Sequence, residues 1–275
     1  MNADRSGNSA ETLVIRPYRP EDRDAIRKLC CETGFLGEPI YSIFSDRKAF
    51  ADYLTRYYTD WEPESTWVGA VGGEVVGYLT ACKRWRLNKI WSLWIGLRLT
   101  LHAFAMLIQG KYDSKDREFM KWILNSSWRE APTKPGGSAH FHFNARKEFR
   151  GKTVMRNLML TMLADMKRHR VPCIYGQMVT YANKRSDRLF EYLGWKVYDK
   201  KRITKYQSVF REEIYLTTIV CDLTQEVPAL RLAPVTKIEL SKETILEEDA
   251  KREKGTARVS AGDSKPAPAP QAKAP

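Results

Sequence analysis

Four cations crowd one short stretch of this chain. Arg146, Lys147, Arg150 and Lys152 surround Gly151, and Thr153-Val154-Met155 follow at once. Before them runs Ala139-His140-Phe141-His142-Phe143-Asn144, which alternates like a strand. After them, Thr153 to Arg170 repeats apolar residues at helical spacing: Met155, Leu158, Met159, Met162, Leu163 and Met166. A strand running into a helix start presents backbone amides that have no partner inside the helix, and the helix dipole adds to their positive potential. That is chemistry for holding a diphosphate. An ordinary basic turn entering a helix would carry the same residues, so a second signal is needed.

Two histidines stand just upstream. His140 and His142 are two apart and share one strand face. Imidazole titrates near neutrality, so either could act as general base beside an acceptor, with His142 the candidate. The plainer reading is a hydrogen-bonded, half-buried histidine. Neither has a neighbouring Cys or carboxylate at ligand spacing, so no metal site is expected. Asn183 precedes a short helical stretch from Ser186 to Tyr192; it could cap that helix or hold a ligand.

These residues must be positioned by an α/β framework. Strands are expected at 13–18, on both sides of Gly72-Gly73 as a hairpin, at 139–144, 173–179 and 195–198, and at 214–223 as the last. Helices are expected after Pro20, after Asp46 as an N-cap, and from Thr153. Residues 1–11 read as a disordered lead-in. A folded domain is expected over 12–224. The stretch 225–275 ends in Pro/Ala-rich sequence and reads as a largely disordered charged tail. Within the domain, 83–135 breaks the strand rhythm and reads as helical.

The chain has 275 residues and a formal charge of +13. Its last 51 residues are nearly balanced, with nine cations against eight acids, so the excess belongs to the rest of the chain. Such a surface favours an anionic ligand, nucleic acid or acidic lipid. Basic residues are scattered and no nucleic-acid motif is present, so specific nucleic-acid binding is not expected. Five cysteines without a CxxC pair, and a polar N-terminus, suit reduced thiols in the cytoplasm.

The order of elements and the run Arg150-Gly151-Lys152-Thr153-Val154-Met155, together with Asn183, Ser186, Phe190, Leu193, Gly194 and Trp195, resemble the Gcn5-related N-acetyltransferase (GNAT) superfamily over about residues 12–223. Cys31 to Gly37 with Ala139 to Phe143 resembles a bacterial subgroup related to the acetyltransferase-like domain of O-GlcNAcases. The resemblance implies a mixed, mostly antiparallel sheet flanked by helices, with the helical segment inserted between the third and fourth core strands. It implies acetyl-CoA as cosubstrate: pantetheine along Phe143, Asn144 and Ala145, diphosphate on the amides of Gly151, Lys152, Thr153, Val154 and Met155 beside Arg150, and Asn183 on the pantetheine arm. Transfer to an unknown amine would follow. Thr153 and Met155 replace two glycines of the family's phosphate loop, and Phe190 stands where the family has a thiolate-protonating Tyr. A catalytically impaired relative that binds CoA or a partner is therefore the alternative function.

Ile90 to Ile108 is nineteen largely apolar residues, with Lys83, Arg84, Arg86 and Lys89 ahead of it. Three roles fit: a lid over the acceptor cleft, an interfacial helix giving membrane-surface contact through 83–109, or a transmembrane span. Arg98 at its middle disfavours the last.

Overall fold

Turn chemistry and alternation build the first half of the sheet. The computed structural model describes residues 11–150, 152–181, 191, 194–231 and 233–240. β1 (Glu11–Pro17) is followed by α1 (Arg23–Glu32) and α2 (Arg47–Asp60). The Asp46 carboxylate accepts from the Ala49 amide at 2.9 Å, so the expected cap starts α2. β2 (Thr66–Val71) and β3 (Glu74–Cys82) close around Gly72 and Gly73, whose φ values of 57° and 87° are the left-handed pair a two-residue hairpin turn needs.

Three helices then leave the sheet: α3 (Trp85–Ile108), α4 (Ser114–Asn125) and α5 (Ser127–Glu130). The chain returns as β4 (Ala139–Ala145), crosses over through α6 (Lys152–Arg168) to β5 (Cys173–Tyr181), and adds β6 (Lys196–Ile203) and β7 (Ile214–Asp222). The sheet has eight strands in the order β6-β7-β5-β4-β3-β2-β1-β8. Every pair is antiparallel except β4 with β5. The α/β class with a mixed, mostly antiparallel sheet is thus as expected.

One boundary moves. β7 is not the last strand. β8 (Lys237–Leu240) returns to pair with β1, and Val227 is buried in the main core. The folded sheet therefore extends past residue 224 to Leu240. Four residues, Lys-Ile-Glu-Leu, carry little strand signal; the open edge of β1 supplies the pairing instead.

Two layers cover the sheet. On one face α6 packs Val154, Leu158, Met162, Leu163 and Met166 against Leu13, Ile15, Leu79, Phe141 and Ile174. On the other, α1 and α2 pack Ile26, Leu29, Cys30 and Phe50 against Val68, Val75 and Tyr78. α3 lies on α2: Trp91 stacks on Trp61 at 4.1 Å, and His102 Nε2 sits 2.7 Å from Asp46 Oδ2. α4 is pinned by the buried Asp116, which accepts from the Ser45 amide and hydroxyl at 2.6 and 2.7 Å. Burial opposes ionisation of Asp46. The Ala49 amide, His102 and Tyr112 nevertheless hold its carboxyl below the usual carboxylate range.

Candidate functional site

β4 is paired with β3 along its length, from Cys82–His140 to Gly77–Ala145. Against β5 it keeps only three rungs: Ala139–Ile174, His140–Tyr175 and Phe141–Gly176. β5 nevertheless continues on β7 to Tyr181. The two parallel strands therefore part at their carboxyl ends, and His142 to Ala145 are paired on the β3 side alone. The last rung is tight. A Cβ at Gly176 would lie 2.5 Å from the Phe141 ring, so any side chain there would push that ring away.

α6 is the crossover from β4 to β5, so its start lies at this open end. In an open α/β sheet this is where ligands meet strand ends and helix amides together. Val154 faces the core, with its Cγ1 only 2.9 Å from where a Gly77 Cβ would be. That close approach sets the helix start down on the sheet. Thr153 and Met155 are half-buried in the same turn. Phe143 packs toward the α6 layer. The Asn144 amide turns to the opposite face and donates to the Tyr78 hydroxyl at 2.8 Å. Ala145 is buried, and Gly151, Asn183 and the Lys152 side chain lie outside the described residues.

The cations of the loop have structural partners that their spacing did not reveal. Arg146 pairs with Glu74 at 2.9 Å and Lys147 with Glu38 at 3.5 Å. Arg150 donates Nε to the Ala145 carbonyl at 3.0 Å and Nη2 to the Gly37 carbonyl. Arg150 thereby ties the end of β4 to the turn after α1. Exposed pairs such as those of Arg146 and Lys147 hold weakly, so the loop keeps its positive potential.

On the α2 face of the parted strands lies a cavity of about 650 Å³. His140, His142, Tyr175 and Gln177 rise into it from the sheet, Tyr58 from α2, and Trp85, Lys89 and Leu93 from α3. The Tyr58 hydroxyl is 2.8 Å from His140 Nε2. Burial, then His142 and then Lys134, lowers the His140 imidazole to a pKa of about 3; burial and Lys134 lower His142 to about 4. Both rings are thus neutral at pH 7. Tyr58 and Tyr175 are pushed above the ordinary phenol value by burial and stay protonated. The histidines and tyrosines of the wall therefore offer uncharged donors and acceptors to a polar substrate, while Lys89 and Lys134 add cations to the lining.

Linkage gives this a sign. Each imidazole has a folded pKa below its ordinary value of 6.5, so the unfolded chain takes up protons first. Stability should be full above pH 6.5 and decline as pH falls toward about 4, by up to about 1.4 kcal/mol per pH unit for each ring. Thermal melts between pH 7.5 and 4.5, run on the wild type and on a His140→Asn/His142→Gln double variant, check this. Parallel slopes would contradict the assignment.

Sequence reading brought His140 and His142 to one face but missed Tyr58, Tyr175 and Gln177. Strand alternation puts Tyr175 and Gln177 on one face of β5, and the register His140–Tyr175 makes it the face of the two histidines. Tyr58 joins from 82 residues away and had no local signal.

No family model matches the chain, and no curated protein matches it. Among solved structures it is similar to SsHAT at 21% identity and a TM-score of 0.46, covering 78% of this chain and 99% of that one. It is similar to an N-acetyltransferase from Staphylococcus aureus Mu50 at 14% and 0.44, covering 77% and 98%. It is also similar to yncA from Salmonella typhimurium, solved with its cofactor acetyl-CoA, at 15% and 0.43, covering 81% and 98%.

Proposed function

We propose that this chain is an acetyl-CoA-dependent N-acetyltransferase of the GNAT type, acting on an amine. The observation that carries the reading is the parting of β4 from β5 beside the start of α6. A thioester with a pantetheine arm and a diphosphate asks for such a place: strand edge for the arm's amides, helix amides for the phosphates, and open space where the acyl group meets its acceptor. His142 to Ala145 would take the arm, the first turn of α6 the diphosphate, and the cavity lined by His140, His142 and Tyr58 the amine.

In that arrangement the amine nitrogen attacks the thioester carbonyl, a C–N bond forms, the C–S bond breaks and the thiolate leaves. Proximity supplies much of the rate. A backbone amide on the free edge of β4 would stabilise the oxyanion. His142, neutral and facing the cavity, would accept a hydrogen bond from the attacking N–H and take up its proton as the bond forms. No metal is called for.

Phe190 cannot protonate the thiolate, and Arg150 already holds the Ala145 carbonyl. These two features favour, as the second reading, a module that binds CoA without turning it over. Isothermal titration with acetyl-CoA, followed by thiol release across a panel of polyamines, amino sugars and peptide N-termini, separates the readings. Binding with thiol release supports the enzyme, binding without release the module. Absence of binding sinks both.

A further inference from the structure

α3 is apolar on two faces, and only one of them is used. Ile95 and Ala103 are its buried residues. The opposite side carries Ile90, Leu93, Leu97, Leu101, Phe104 and Ile108, each 61–71% exposed. At 100° per residue these six form one stripe along a helix about 36 Å long. A stripe of this size on a protein surface marks a binding face.

We propose that α3 lies flat on an anionic phospholipid bilayer and docks the protein there. Charge argues for that occupant. Residues 83–112 contain six cations and no acid at all; Lys83 and Arg84 pair within the fold, with Asp165 at 3.0 Å and Glu64 at 2.7 Å, and Arg86, Lys89, Arg98 and Lys111 are left for headgroups. Two copies meeting face to face would bring these cations together; an anionic headgroup layer neutralises them. Three tryptophans of the helical segment carry an arginine over the ring: Arg86 on Trp85 at 5.2 Å, Arg98 on Trp94 at 6.0 Å and Arg129 on Trp128 at 4.7 Å. Indole at the level of the headgroups, with guanidinium reaching for phosphate, is interfacial chemistry. The chain's own tail is a poor cover, since residues 241–275 contain Ile245, Leu246 and Val259 as their only branched aliphatics and no aromatic.

The helix lies on the bilayer and does not cross it. Trp91 stacked on Trp61, and His102 against Asp46, hold both halves of α3 on α2. The chain leaving it returns through α4 to Ser45 of the same body. A span would break all of these contacts.

Docking places the cleft as well. Trp85, Lys89 and Leu93 line the cavity from α3, and Leu93 also belongs to the exposed stripe. On the acetyltransferase reading, on which this step rests, the acceptor is an amine presented at the membrane surface, of the aminophospholipid headgroup class.

Vesicle sedimentation tests the docking without reference to catalysis. The full chain should sediment with phosphatidylcholine–phosphatidylglycerol vesicles and roughly tenfold less with phosphatidylcholine alone or at high salt. Leu97→Glu/Leu101→Glu should abolish sedimentation while its melt and its acetyl-CoA binding stay unchanged. If that variant folds poorly, Arg86→Glu/Lys89→Glu serves, with a loss confined to anionic vesicles. Wild type remaining in the supernatant, or variants sedimenting like wild type, overturns the proposal. So does a wild-type dimer by light scattering that the Leu pair variant converts to monomer with no vesicle binding. Thiol release from acetyl-CoA with phosphatidylethanolamine vesicles, against none with free ethanolamine, supports the acceptor class. No release from either, in a protein that sediments and turns over another amine, overturns that class alone.

Discussion

Replacing Thr153 with Glu should weaken acetyl-CoA binding by roughly 100-fold, about 2.7 kcal/mol, while the fold becomes no less stable. The two effects have opposite signs for one reason. Thr153 is the second residue of α6, where the backbone amides and the dipole present positive potential. A carboxylate there stabilises the helix by roughly 0.3–1 kcal/mol. It also occupies and repels the place a diphosphate would take. A loss of affinity through misfolding would lower the melting temperature instead. Titration calorimetry and a thermal melt on the same preparation read both signs. Undiminished affinity in the Thr153→Glu protein would mean that the diphosphate does not sit on α6, and the reading of the open strand end would go with it.

His142→Ala should lower kcat by roughly 100- to 10,000-fold, the span of a general base, and leave acetyl-CoA affinity unchanged. The ring faces the cavity on the strand segment where β4 has left β5, not the α6 side where the nucleotide would lie. Its pKa of about 4 carries a second consequence. The imidazole is already in its basic form throughout the neutral range, so a rise of kcat/KM between pH 6 and 9 reports deprotonation of the amine substrate and not of His142. The slope of that limb should therefore follow the amine's own pKa when substrates are exchanged. A variant with undiminished kcat would remove His142 from the reaction and leave it as part of the cavity wall.

Much of the frame is legible in the sequence itself. The Gly72-Gly73 hairpin, the Asp46 cap, the strand 139–144 and the helix after it depend on dihedral preferences and on side-chain period over a few residues, and short-range rules capture those. Residues 83–130 read as helical because the strand rhythm breaks there in a run rich in Trp, Leu and basic residues. β8 is not legible, because its pairing is decided by the unfilled edge of β1 and by little in its own four residues.

The site divides in the same way. Sequence alone determined that a basic loop enters a helix after a strand bearing two histidines on one face, because backbone geometry fixes which residues share a face and where helix amides are left over. Only the tertiary structure decided that β4 parts from β5 after Phe141, that Tyr58 reaches His140, that Arg150 binds the Ala145 and Gly37 carbonyls, and that α3 keeps one apolar face outside. Each of these joins groups far apart along the chain, or depends on how much of a helix its neighbours can cover. Neither the distance between two such groups nor the water excluded around them is encoded within a few residues; both arise when the layers pack.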